Sequence, residues 1–182
     1  ANIMPLNNIY VSTNDESVIK ITKKHNVNFI KRPEILCKDN SSSEDGIIHA
    51  IKIIGKERKL NHIIFLQVTS PLRDSDDIFE CVKQYQKKKL DSIFSAFLAK
   101  RFIWTKTKKL SSLTFNYKKR QRSQNLQNLV IENGAIFIFN VKKFLKFKNR
   151  IFGKFDFYEM EENKSFDIDN LEDLKIVKKL LK

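Results

Sequence analysis

Four apolar residues, Ile63-Ile64-Phe65-Leu66, run straight into the polar string Gln67-Val68-Thr69-Ser70-Pro71-Leu72-Arg73, and that junction restricts the fold more than any other part of the chain. A short, unbroken apolar run reads as a buried strand. The polar cluster and the proline stop it, and a new helix is expected near Ser75. In an open α/β sheet, the carboxyl end of a strand is where ligands bind. The amide of Gln67, the hydroxyls of Thr69 and Ser70 and the guanidinium of Arg73 suit a sugar or a nucleotide better than they suit a core.

The flanking segments follow the same plan. Ile9–Thr13 is short and β-branched, a strand. Asn14 is expected to cap a helix through about His25, with Asp15 and Glu16 at its positive end. Asn28–Lys31 is a second strand, ended by Arg32-Pro33. Ser41-Ser42-Ser43-Glu44 has the spacing of a capping box before a helix whose apolar side is Ile47, Ile48, Ile51 and Ile54. A helix from Ser75 to about Lys88 turns Ile78, Val82 and Tyr85 inward, and Asp91–Phe97 is another strand. Strands alternating with helices at this spacing predict an α/β fold with a parallel, doubly wound sheet in one domain spanning 1–182.

From about 98 to 130 the pattern lapses into polar and basic sequence with isolated Trp104, Phe115 and Tyr117. So long a loop is uncommon inside a compact domain, so an extension that packs against a second subunit is expected. Gly134–Asn140 resumes as a strand, followed by a short helix over Val141–Phe147. Phe155, Phe157 and Asp167-Ile168-Asp169 suggest extended pieces, and a helix from Leu171 to Lys182 closes the chain.

Bulk properties exclude several classes. Cys37 and Cys81, the two cysteines, form no CxxC pair, so neither a disulfide framework nor a zinc site is indicated. No apolar stretch approaches the roughly 20 residues that span a bilayer. Ala1-Asn2-Ile3-Met4-Pro5 lacks the marks of a signal peptide. A cytoplasmic protein with no membrane partner is expected. The formal net charge is +14. Its excess is mostly lysine spread along the chain, which reads as a solvated surface rather than a nucleic-acid interface. Such a field still favours anionic small molecules.

Asp167 and Asp169 are the sharpest chemical pair. Two residues apart on an extended segment, they point to one side, where a hard dication with oxygen ligands relieves their repulsion. The plainer reading is that Asp169 or Asn170 caps the last helix.

Several segments together resemble the acylneuraminate cytidylyltransferases (CMP-sialic acid synthetases). Leu66–Arg73 resembles that family's Leu-Gln-Pro-Thr-Ser-Pro-Leu-Arg, with Val68 in place of a proline. Arg32-Pro33-Glu34-Ile35-Leu36, Asp39-Asn40-Ser41-Ser42-Ser43 and His49-Ala50 resemble its Arg-Pro-x-x-Leu, Asp-Thr-x-Ser-Ser and His-Ala run. Glu132-Asn133-Gly134-Ala135-Ile136-Phe137 resembles its Asn-Gly-Ala-Ile-Tyr segment, and Asp167-Ile168-Asp169-Asn170-Leu171-Glu172-Asp173-Leu174 its Asp-Ile-Asp signature. The resemblance implies a Rossmann-like nucleotide-diphospho-sugar transferase fold with a mostly parallel sheet, a homodimer contact in the 98–130 insertion, and transfer of CMP from CTP to a sialic-type sugar acid. It implies Mg²⁺ on Asp167 and Asp169, the nucleotide on Arg32, Ser41 and Ser43, and the sugar on Gln67, Asn133 and Phe137. Phe137 lacks the hydroxyl of the family's tyrosine.

Two departures stand out. The family's glycine-, lysine- and arginine-rich loop, which wraps the triphosphate, has no counterpart here, as if the chain were N-terminally shortened. A truncated, non-catalytic homologue that still dimerises and binds sugar or nucleotide is therefore the alternative expectation. Arg122-Ser123-Gln124-Asn125-Leu126 resembles Arg-Arg-Gln-Asp-Leu, with Ser123 where an arginine approaches the sugar carboxylate. Arg122 or Arg120 is expected to take its place, and Lys106, after Phe102-Ile103-Trp104, is a weaker candidate for the same anion.

Overall fold

The computed structural model describes residues 5–38 and 40–181. Asp39, within the Asp39–Ser43 motif, and Lys182, the expected end of the last helix, lie outside them. In chain order the elements are β1 (Tyr10–Thr13), α1 (Glu16–Lys24), β2 (Asn28–Lys31), α2 (Ser43–Ile54), β3 (His62–Leu66), α3 (Ser75–Lys87) and β4 (Ser92–Ala99). There follow β5 (Trp104–Lys106), β6 (Leu110–Ser112), β7 (Leu129–Asn140), α4 (Val141–Phe147), β8 (Phe155–Glu159) and α5 (Leu171–Leu180).

The main sheet has the order β3-β7-β4-β8. β7 is antiparallel to β3 and to β4, and β8 is parallel to β4, so β3, β4 and β8 share one direction. β1 and β2 form a separate parallel pair. The reversal of β7 has a topological cause. A helical crossover carries the chain back to the opposite pole and yields parallel strands. The segment between β4 and β7 contains no such helix, and Ala99 pairs with Leu129, so the chain returns from the pole it left.

That connecting segment has local structure of its own. β5 and β6 pair as a hairpin. Phe115 meets Phe102 and Trp104 edge-on at 4.9 and 5.2 Å, and the Arg120 guanidinium lies 3.9 Å from the Phe102 ring centroid. Trp104, Leu110, Leu113 and Tyr117 remain exposed on it.

Helices cover both faces of the main sheet. Cys81 and Tyr85 of α3 pack with Ile93, Ile136 and Ile138 on one face. Ile47 and Ile51 of α2 pack with Phe137, Phe139, Phe144 and Phe152 on the other. Two caps differ from the sequence reading. Asp15, not Asn14, caps α1, accepting from the amides of Ser17 and Val18. Ser42, not Ser41, caps α2, and its partner is the Asp45 amide rather than that of Glu44. In both cases the side chain one residue later is the one that reaches the unpaired amides of the first turn.

Candidate functional site

The carboxyl end of β3 is built as a tight turn held by its own backbone. Arg73 donates from Nη1 to the carbonyls of Gln67 and Ser70 at 2.6 and 2.5 Å. Burial pushes its pKa below the usual arginine value. The Ser70 side chain is fully buried. Its hydroxyl lies 3.3 Å from both the Asn133 carbonyl and Oδ1 of Asp167. The Ile168 amide donates to the Thr69 carbonyl at 2.8 Å. The structure thus brings the β3 tip, β7 and the Asp167–Asp169 segment to one place, although they are remote in sequence.

β7 reaches this place through an irregularity. Phe94 pairs with Phe137 and Ala96 with Glu132, so Asn133–Ile136 bulge opposite Ser95. Such bulges re-aim side chains beside functional sites. Gly134 has φ +71°, and a Cβ there would stand 2.7 Å from Oε1 of Gln67. The glycine is therefore what lets the Gln67 amide lie against β7.

Asn133 is only 7% exposed. Its Oδ1 accepts from Ser95 Oγ at 2.6 Å and from the Ala135 amide at 3.2 Å. Its Nδ2 donates to Ser165 Oγ at 2.9 Å and faces Met160 Sδ at 3.4 Å. Every hydrogen-bonding position of this amide is used internally, so the direct sugar contact expected from sequence is not available in this arrangement. Phe137 departs further from expectation. It is 1% exposed, within the core under α2, and presents no surface to a substrate. Its pairing with Phe65 and Phe94 in the middle of the sheet fixes it there.

The two aspartates are unequally held. Asp167 is partly buried beside Ser70, and Asp169 is exposed. Asn170 caps α5, accepting from Glu172 and Asp173 in a reciprocal capping box, so the plainer reading of this segment applies to Asn170 and leaves the Asp169 carboxylate unused. Neither aspartate enters an ion pair among the described residues. The same residues contain no cluster of three or more His, Cys, Asp or Glu fit to cage a metal. That donor set fits Mg²⁺, which is held by one or two carboxylates and completes its shell with water and substrate phosphate. Thr69 Oγ1 is buried here without a partner among the described residues, a further oxygen at the same tip.

The segment carrying Asp167 has a second anchor that the sequence reading missed. Lys164 donates to Asp74 at 2.6 Å and to Asp77 at 3.3 Å, tying it to the first turn of α3. The hydrogen bond from this ammonium, with the Asp77 amide, pulls the Asp74 carboxyl down to about 2.

Arg32, Ser41 and Ser43 gather around the start of α2. Arg32 donates to Ser12 Oγ and to the Ser12 carbonyl at 3.2 and 2.8 Å, and its guanidinium lies beside Gly46. Ser41 Oγ donates to the Ile35 carbonyl at 2.9 Å, and Ser43 is exposed in the first turn. A helix start favours anions. Arg150, also missed from sequence, links this region to the strand tip. It donates to Glu44 at 2.8 Å, and its guanidinium lies 4.4 and 5.6 Å from the Phe137 and Phe65 ring centroids. Phe65 lies two residues before Gln67.

Lys106 and Arg122 stand apart. Both are exposed on the insertion, and no hydrogen bond or ion pair among the described residues joins either to the β3 tip.

Comparison with known proteins shows the family. The family described as cytidylyltransferase matches residues 2–182. An N-acylneuraminate cytidylyltransferase of Escherichia coli is 33% identical over 181 residues, covering 92% of this chain and 40% of that protein. N-acylneuraminate cytidylyltransferase A of Danio rerio is 29% identical over 168 residues, covering 90% and 38%. The chain therefore spans about 40% of the length of these curated relatives. In fold it is similar to the crystal structure of a 4-diphosphocytidyl-2C-methyl-D-erythritol synthase from Anaerococcus prevotii, with a TM-score of 0.61 at 12% identity, covering 92% of this chain and 77% of that one. With a Rossmann-like nucleotidyltransferase sheet and a family match along nearly its whole length, the chain belongs to the cytidylyltransferase family.

Proposed function

We propose that the chain transfers CMP from CTP to an acidic sugar of the sialic acid type. In this reaction the anomeric hydroxyl oxygen of the sugar bonds to the α-phosphorus. The bond from that phosphorus to the bridging oxygen breaks, pyrophosphate leaves, and the hydroxyl proton passes to solvent or a nearby base. Asp167 and Asp169 would hold Mg²⁺, which when bound neutralises phosphate charge. Arg32, Ser41 and Ser43 position the nucleotide at the start of α2, and Gln67 positions the sugar. The observation carrying this reading is the docking of Asp167 beside Ser70 at the carboxyl end of β3. In the same reading, the exposed aromatic insertion makes a homodimer contact, and Arg122, or else Lys106, acts on the sugar carboxylate from it. No helix among the described residues is long and apolar enough to cross a membrane. In this reading the reaction is cytoplasmic.

The alternative is a non-catalytic relative that binds sugar or nucleotide. Pyrophosphate release by the purified chain, given CTP, Mg²⁺ and a panel of nine- and eight-carbon sugar acids, separates the two. Turnover lost in Asp169→Ala supports the transferase. Absence of release together with calorimetric binding of CTP or sugar supports the binding module.

A further inference from the structure

Asp167 and Asp169 differ in how firmly they are held, and the difference resides in a residue outside the pair. Ser70 is fully buried, and its hydroxyl stands 3.3 Å from Asp167 Oδ1 and 3.3 Å from the Asn133 carbonyl. A hydroxyl carries one hydrogen, so it bridges the two acceptors rather than donating fully to each. One residue away, the Thr69 carbonyl takes the Ile168 amide at 2.8 Å. The Asp167 carboxylate and the amide that follows it are thus held from the same strand tip. The Asp169 carboxylate is exposed and accepts no hydrogen bond among the described residues, and only its amide is tied, to Asp173 Oδ2 at 3.0 Å.

We propose that Ser70 is the positioning residue for Asp167. It presents one carboxylate in a preset orientation, and Asp169 adapts to complete the pair. This rests on the reading of Asp167 and Asp169 as the cation-holding carboxylates. Outer-shell hydrogen bonds of this kind orient ligating groups, and removing them weakens metal affinity by roughly 10–100-fold. Ser70→Ala removes only the hydroxyl and leaves the Arg73 bonds to the Gln67 and Ser70 carbonyls, so the turn keeps its main hold.

The test is a titration of the full chain with Mn²⁺ in the presence of CTP, followed by electron paramagnetic resonance. Ser70→Ala is expected to weaken Mn²⁺ about tenfold. Asp167→Ala weakens it further, and the double variant binds no more weakly than Asp167→Ala alone. A residue acting through Asp167 shows this non-additivity, whereas a merely structural one adds its loss in both backgrounds. Additive losses, or an unchanged affinity in Ser70→Ala, overturn the proposal. A second readout needs no metal: hydrogen exchange at the Ile168 amide should speed up in Ser70→Ala, and unchanged protection overturns the positioning role. If the unaltered chain takes up no Mn²⁺, the carboxylate-pair reading itself falls, while the exchange measurement still decides what Ser70 does.

Discussion

Nδ2 of Asn133 donates to Ser165 Oγ at 2.9 Å, joining the bulge of β7 to the segment that carries Asp167. The donor is a residue that resemblance places on the sugar, and its acceptor lies two residues before a carboxylate assigned to the cation. The bond makes Asn133 an organiser of the site. Its Oδ1 also accepts from Ser95, whose own oxygen accepts from the Ile136 amide at 2.7 Å.

Asn133→Ala should therefore act first on stability. It strands Ser95 and Ser165 in a buried network, at a cost of about 2 kcal/mol. Chemical denaturation should show this loss. Calorimetry with sugar acids at a temperature where the variant stays folded should show little change in sugar affinity. A large affinity loss with unchanged stability would restore Asn133 to the substrate.

The Lys164 clamp makes a pH prediction. Asp74 has a folded pKa of about 2 against an ordinary 3.8, so its contribution to stability is present above the ordinary value and lost as pH falls towards 2. Lys164 is shifted upward by the same hydrogen bond, so its contribution persists below its ordinary 10.5 and fades only in strong alkali. The difference in thermal midpoint between the native chain and Lys164→Met should be level from pH 5 to 8 and shrink below about pH 4. Both side chains are partly solvated, so the difference is small.

The β3 junction was legible because two local signals coincide there, an apolar run and a polar stop with proline. The helices were legible from apolar spacing, and only their caps slipped by one residue, since neighbouring Asn14 and Asp15, or Ser41 and Ser42, offer nearly the same chemistry. The direction of β7 was not legible, because a strand reads the same whichever pole it enters from. Nor was the burial of Asn133, which depends on a bulge opposite Ser95, a residue 38 positions away. Phe137 was misplaced for a related reason. Its motif sits beside the site, but the pleat of β7 turns its ring into the α2 face of the core. Lys164 and Arg150 act through partners remote in sequence, where spacing carries no information.

The two thiols should differ sharply in reactivity. Burial pushes Cys81 up to about 12, with the charge of Asp77 adding to the effect, and its side chain is fully enclosed between α3 and the sheet. Cys37 is partly exposed. The thiolate is the reactive form, so alkylation at pH 8 should label Cys37 alone in the native chain and both residues in guanidinium chloride. Native labelling of Cys81 would show that α3 separates readily from the sheet.

Gly134→Ala joins backbone strain to the site. With φ at +71°, an added Cβ costs about 1–2 kcal/mol before any contact is considered. That Cβ would also meet Gln67 Oε1 at 2.7 Å and force the amide to move. Both effects fall on the same strand tip, so the variant should lose stability and sugar affinity together. Gln67→Ala in the Gly134→Ala background separates them. It relieves the contact but not the strain, so part of the stability returns while sugar affinity stays low. Full recovery of stability would place the whole cost in the contact, and undiminished sugar binding would remove Gln67 from the substrate site.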